Sequence, residues 1–163
     1  MMAEMMNDSG RITACDVHSH RLDLIRASAR RLGISIIETQ LADGTVHNSG
    51  MDDMYDFVLA DVPCSGLGVM STKPEIRLRM DTKSIQELPS IQLEILKNAF
   101  RYAKPGGRIC YSTCTLNKAE NEAVIEAFRD SDPAFGRIVE MQKVLPYNNL
   151  IGFYSCIIEK NVH

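Results

Sequence analysis

No apolar run in this 163-residue chain approaches the roughly 18 residues that a helical membrane span needs, so such a span is excluded. The start of the chain, from Met1 to Asp8, has no basic end followed by an apolar stretch and does not read as a secretory leader. Regularly spaced cysteine pairs are also missing. The five cysteines are an odd count, which argues against a disulfide framework and predicts a reducing, cytoplasmic setting with free thiols. A basic excess is lacking too. Net charge is −3, whereas a protein that grips nucleic acid by itself carries a positive balance, because phosphate contacts dominate its affinity. Two local clusters run against that balance: Arg21, Arg26, Arg30 and Arg31, then Lys73, Arg77, Arg79 and Lys83. A solvated helix face accounts for the first. For the second, which follows a candidate active-site loop, a solvated face and a binding role both stay open. Zinc spacing is absent: Cys110 and Cys114 have no second Cys/His pair nearby, and His18 and His20 lie on another segment, so no metal is expected. None of His18, His20, His47 and His163 stands where a Cys–His hydrolase would need its base. There is no repeat, linker or low-complexity stretch, and the length predicts one domain with a real core.

What is present is an alternation of short apolar runs with longer helical patterns. Residues 11–16 read as a strand, followed by a helix with Leu22, Ile25, Ala29 and Leu32 on one face and Gly33 as its stop. Residues 36–41 form a second strand. Residues 55–60 form a third, whose unbroken apolar end predicts cover on both faces. A long helix is expected over about 84–103, with Ile85, Leu88, Ile91, Ile95 and Ala99 facing inward and Pro89 near its start. Residues 104–107 end it, and 108–113 are the next strand. Asn117 and Glu120 have the spacing of a capping box for a helix through Val124, Ala127 and Phe128. Strands near 137–141 and 153–159 complete an α/β chain with a mostly parallel sheet.

In such sheets ligands gather at the carboxyl ends of the strands. Asp16 ends the first strand, Asp43 follows the second, and Asp61 ends the third just before Pro63-Cys64-Ser65-Gly66. The strand after the long helix ends in Thr113-Cys114-Thr115. Acids at such ends suit ribose hydroxyls. The crossover helix makes the third and fourth strands neighbours, so Cys64 and Cys114 are expected to face one small substrate. The turn around Cys64, entered by proline and left by glycine, is built to present a side chain. Cys15, Cys110 and Cys156 read instead as buried small apolar residues.

These residues carry a specific resemblance. Asp61-Val62-Pro63-Cys64-Ser65-Gly66-Leu67-Gly68, with Tyr111-Ser112-Thr113-Cys114-Thr115 and Glu120-Asn121-Glu122, resembles the Sun-type family of RNA cytosine-5 methyltransferases. Lys73-Pro74-Glu75-Ile76 and the segment 91–96 are similar to its bacterial members, above all the methyltransferase B branch acting on small-subunit ribosomal RNA. The resemblance implies a Rossmann-like, S-adenosylmethionine-dependent methyltransferase fold and methylation of a cytosine C5 in that RNA. It implies Cys114 as the thiolate that attacks C6, and Cys64 as the residue assisting proton removal and product release. By the same resemblance Asp61 lies beside the base and the cofactor methyl, Asp16 holds the cofactor ribose, and Asp43 its adenine. The family places a strand and a glycine-rich loop ahead of the segment that Met1 begins, and here the only Gly-x-Gly, Gly66-Leu67-Gly68, follows the wrong strand. Residues 1–163 are therefore expected to be the C-terminal part of a catalytic domain. The first strand, the cofactor loop and an N-terminal RNA-binding region would lie outside it. That strand belongs between those ending in Asp16 and Asp61, so two unpaired edges, self-association through them and no turnover by this chain alone are expected. Ile151 stands where relatives carry Asp. Two alternatives remain: an inactive remnant or RNA-binding piece, and a DNA cytosine-5 methyltransferase that uses Cys64 as its nucleophile.

Overall fold

The computed structural model describes residues 1–69, 82–146 and 151–162. The chain divides into two units, Met1–Val46 and His47–His163. The strands divide the same way, into a two-stranded and a four-stranded sheet.

In the first unit a short helix α1 (Met2–Met5) precedes strand β1 (Ile12–Asp16), helix α2 (Ser19–Leu32) and strand β2 (Ile37–Leu41). The strands pair in parallel, with Ile12 opposite Ile37 and Asp16 opposite Leu41. Parallel neighbours need a crossover of this length, and α2 provides it. Leu22 and Ala29 of α2 are buried, whereas Leu32 of the expected stripe is exposed. Gly33 closes the helix at φ +67°. Arg21 pairs with Asp16, Arg26 with Asp23, and all four arginines of the first cluster are exposed, the solvated-face reading. Cys15 is exposed, contrary to the expectation of burial.

The second unit runs β3 (Tyr55–Asp61), α3 (Thr82–Tyr102), β4 (Ala103–Thr113), α4 (Glu122–Ser131), β5 (Arg137–Val144) and β6 (Phe153–Glu159). Its sheet has the order β3-β4-β6-β5. β3 and β4 are parallel, in register from Phe57 opposite Arg108 to Asp61 opposite Ser112. β6 is antiparallel to β4, and β5 is antiparallel to β6. Parallel pairing thus holds for the strands joined by α2 and α3, while the last two strands form an antiparallel pair. The core gathers Leu96, Phe100, Ile109, Tyr111, Ile125, Phe128, Tyr154 and Ile158. Each such large apolar side chain, fully buried, stabilises by about 1.5–3 kcal/mol.

β3 is not covered on both faces: Phe57 and Leu59 are 44% and 48% exposed, while Ala60 points into the core. β4 is its one strand neighbour among the described residues, and α3 packs on one side only. The buried stripe of α3 is centred on Gln92, Leu96, Ala99 and Phe100, and Ile91 is exposed. Pro89 lies inside α3, because the helix starts at Thr82. Lacking an N–H, it cannot donate to the Ile85 carbonyl one turn earlier.

Candidate active site

Because β3 and β4 are parallel and in register, the chain leaves both at the same edge of the sheet. Asp61, the last residue of β3, accepts a hydrogen bond from Ser112 Oγ at 3.0 Å. The ladder continues for one more bond, Val62 N to Ser112 O at 3.2 Å. Then the chain turns through residues 63–66, and Gly66 adopts φ +67°, a conformation that glycine takes without a Cβ clash. Beyond β4 stands Cys114. Its Sγ is 3.0 Å from Cys64 Sγ, and its backbone N–H donates to Cys64 Sγ at 3.3 Å. Both thiols are free and partly buried.

The two sulfurs are inequivalent. Cys64 Sγ accepts the Cys114 N–H, which leaves its own S–H able to donate to Cys114. That hydrogen bond holds the Cys114 thiol down to about 7, against the opposing effects of burial and of the Asp61 and Glu120 charges. Cys64 is pushed far up by the same bond, by burial and by the charge of its partner. A thiolate is the nucleophilic form of cysteine, and of the two thiols Cys114 is the one shifted toward it.

The loops that carry the thiols are tied from behind by residues the sequence reading left aside. Glu120 was expected as the return partner of a capping box. In the structure Asn117 caps only the 3-10 turn Lys118–Glu120, accepting from Ala119 N at 3.1 Å; α4 starts later, behind Asn121 and with no side-chain cap, and Glu120 turns inward and is fully buried. Its Oε2 accepts Ser65 N–H at 2.8 Å and Gln92 Nε2 at 3.1 Å, and its Oε1 accepts Asn117 Nδ2 at 3.0 Å. Gln92, also fully buried, donates to the Pro63 carbonyl at 2.8 Å. Asn121 accepts from Thr113 Oγ1 at 2.6 Å and donates to the Thr115 carbonyl at 3.0 Å. Ser65 Oγ and Thr115 Oγ1 join the two loops at 2.9 Å. The available signal was the spacing of Gln92 with Leu96 and Phe100, which sets a polar residue on the apolar face of α3. Gly66-Leu67-Gly68 also finds its use here. Gly68 N–H donates to the Cys114 carbonyl at 3.0 Å, and Gly68 accepts Gly152 N–H at 2.7 Å.

Asp16 and Asp43 belong to the first unit, apart from the unit that brings Asp61, Cys64 and Cys114 together. Asp16 accepts the His18 N–H at 2.8 Å and Arg21 at 3.4 Å, and it is held below the usual carboxylate range chiefly by the His18 N–H. Asp43 accepts the Thr45 hydroxyl at 2.7 Å and the Thr45 N–H at 2.9 Å, which lower it in the same way. Lys73-Pro74-Glu75-Ile76 and the side chains of the second basic cluster lie outside the described residues.

The sequence matches the family of 16S rRNA methyltransferases RsmB/F over residues 1–145. It is 36% identical over 146 residues to the probable ribosomal RNA small subunit methyltransferase B of Bacillus subtilis, covering 89% of this chain and 33% of that protein. The chain thus spans about a third of the length of this curated relative. Among solved structures, PH0851 superposes with a TM-score of 0.91 at 32% identity, covering 98% of this chain and 39% of that one. NSun6 from Pyrococcus horikoshii, solved with SFG, superposes at 0.77 with 25% identity, covering 99% and 44%. The fold is the Rossmann-like α/β fold of methyltransferases.

Proposed function

We propose, since the chain belongs to the 16S rRNA methyltransferase RsmB/F family, that it carries the base-reacting site of an S-adenosylmethionine-dependent RNA cytosine-5 methyltransferase. The observation that supports this most is the pair of inequivalent thiols, 3.0 Å apart at adjacent strand ends. Cytosine C5 is too poor a nucleophile to take a methyl group unaided. A thiolate adding to C6 forms a carbon–sulfur bond and moves electron density onto C5. Cys114 fits that role. S-adenosylmethionine, when bound, supplies the electrophilic methyl group. Afterwards Cys64 gives its proton to the departing Cys114 sulfur and takes up the C5 proton, the electrons of the C5–H bond expelling that sulfur from C6, so the products are 5-methylcytosine and S-adenosylhomocysteine. Cys64, the protonated member, is the group beside Cys114 that can shuttle a proton during this release.

Three carboxylates at or just past strand ends are the chemistry that supports cofactor binding in this reading. Asp16, at the carboxyl end of a parallel strand, would hold ribose hydroxyls, and Asp43 would accept from the adenine amino group. Asp61 would lie next to the reacting base. The substrate in this reading is small-subunit ribosomal RNA, with the target base unstacked or flipped so that the thiolate can reach C6. Five free cysteines suit a reducing compartment such as the cytoplasm.

The test is covalent trapping. The chain, joined to the strand and glycine-rich loop that the resemblance places ahead of it, is incubated with S-adenosylmethionine and a ribosomal RNA fragment containing 5-fluorocytosine, whose C5 fluorine cannot leave as a proton does. An adduct mapped to Cys114 by mass spectrometry, absent in Cys114→Ser and persisting in Cys64→Ser, is the expected result. A chain that binds both cofactor and RNA yet forms no adduct, or that forms it through Cys64, would overturn the reading.

A further inference from the structure

Two consecutive residues, Glu120 and Asn121, reach from the turn before α4 to opposite sides of the thiol pair. Glu120 takes the N–H that follows Cys64, and through Gln92 it also ties the carbonyl that precedes Cys64. Asn121 holds the Thr113 hydroxyl and the Thr115 carbonyl, the residues on either side of Cys114. All of Gln92, Glu120 and Asn121 are fully buried. Tyr111, inside β4, donates to the Glu120 carbonyl at 2.5 Å and so anchors the turn to the sheet.

We propose that Glu120 and Asn121 are positioning residues that set the separation of the two sulfurs, each pinning the loop of one cysteine to a common turn. The proposal rests on the reading of Cys114 as nucleophile. It gives that reading a mechanical basis, because the Cys64 S–H reaches Cys114 only while both loops are held. Among the described residues, the titratable groups facing Cys114 are Cys64 after β3, Asp61 at the end of β3, and Glu120 from the turn before α4. Their signs make the prediction directional. The Glu120 charge by itself raises Cys114, so deleting that charge alone would move the thiol down. Parting of the loops removes the Cys64 donor and moves it up.

The experiment is alkylation of the chain by iodoacetamide across about pH 5 to 10, with Cys114 followed by peptide mass spectrometry. The sulfur displaces iodide, so the rate tracks the thiolate. The unsubstituted chain should titrate near 7. Glu120→Ala and Asn121→Ala should each shift the midpoint upward by about one unit, toward the free-thiol range. Glu120→Gln, which keeps an acceptor for Ser65 N–H, should stay at or below the parent value. Ile158→Ala, a core deletion in β6, controls for general loosening. Should Glu120→Ala fail to fold by circular dichroism, Asn121→Ala and Gln92→Met test the same brace. Folded brace variants that titrate like the parent would overturn the proposal, as would an equal upward shift in Ile158→Ala. No RNA is involved, so a shifted profile with no RNA adduct leaves the brace standing and overturns only the proposed function. An adduct with unshifted profiles does the reverse.

Discussion

At the scale of single residues, the site turns on which sulfur carries the proton. Cys114 held near 7 is about half thiolate at neutral pH, so its reactivity should climb as pH rises through that value and level off above it. Cys64→Ala removes the S–H that favours the charged form, and the midpoint should move up. At pH 7 the alkylation rate at Cys114 should fall by roughly fifteenfold or more, as the thiolate fraction shrinks to that of a free thiol or below. An unchanged midpoint in Cys64→Ala would mean that Cys64 is not the donor. Both cysteines were legible in the sequence, because a thiol between proline and serine-glycine, and another at a neighbouring strand end, have few structural reasons to be there. Glu120 was not legible. A carboxyl three residues after Asn117 has the same spacing whether it folds back onto the backbone or turns inward, and only the buried donors Ser65 N–H and Gln92 decide between the two. Cys15 was misread because burial depends on how many layers cover a strand, and one strand's composition does not report that.

At the scale of elements, the sequence gives periods well and packing directions less well. The helices and strands of residues 11–61 appear close to where their apolar patterns put them. Helix α3, however, presents Gln92 inward and Ile91 outward, because the hydrogen bonds to Pro63 and Glu120 repay the burial of an amide. The antiparallel end of the second sheet was equally hidden, since a strand's pattern does not state its direction. The short turn Leu67–Val69 shows what the backbone demands of one residue. A Cβ on Gly68 would lie 2.3 Å from the Gly152 carbonyl oxygen and 2.8 Å from that of Cys114. Both obstacles are backbone, so neither can swing away. Gly68→Ala should therefore cost about 2–3 kcal/mol, seen as a lowered thermal midpoint. Because one of the displaced groups is Cys114, its alkylation midpoint should move as well. A variant as stable as the parent would show that residues 67–69 pack against nothing essential.

At the scale of the whole molecule, the chain divides its chemistry. The carboxyls of Asp16 and Asp43 stand in Met1–Val46, and the thiols with their brace stand in His47–His163. The alternation of elements suggested one sheet carrying all five residues, but β1 pairs only with β2, and β3 only with β4, among the described residues. Cofactor affinity and thiol reactivity should consequently be separable by substitution. Calorimetric titration with S-adenosylmethionine should show binding that weakens about tenfold or more in Asp16→Ala, since a carboxylate acceptor for ribose hydroxyls is lost. The Cys114 alkylation profile of that variant should match the parent. Cys114→Ser should behave oppositely, with cofactor affinity kept and RNA trapping abolished. If Asp16→Ala binds S-adenosylmethionine as tightly as the parent, the ribose role of Asp16 fails, and the proposed base chemistry stands or falls on the thiols alone. If it also shifts the Cys114 midpoint, the two units are coupled, and the division drawn from the strand pairing is wrong.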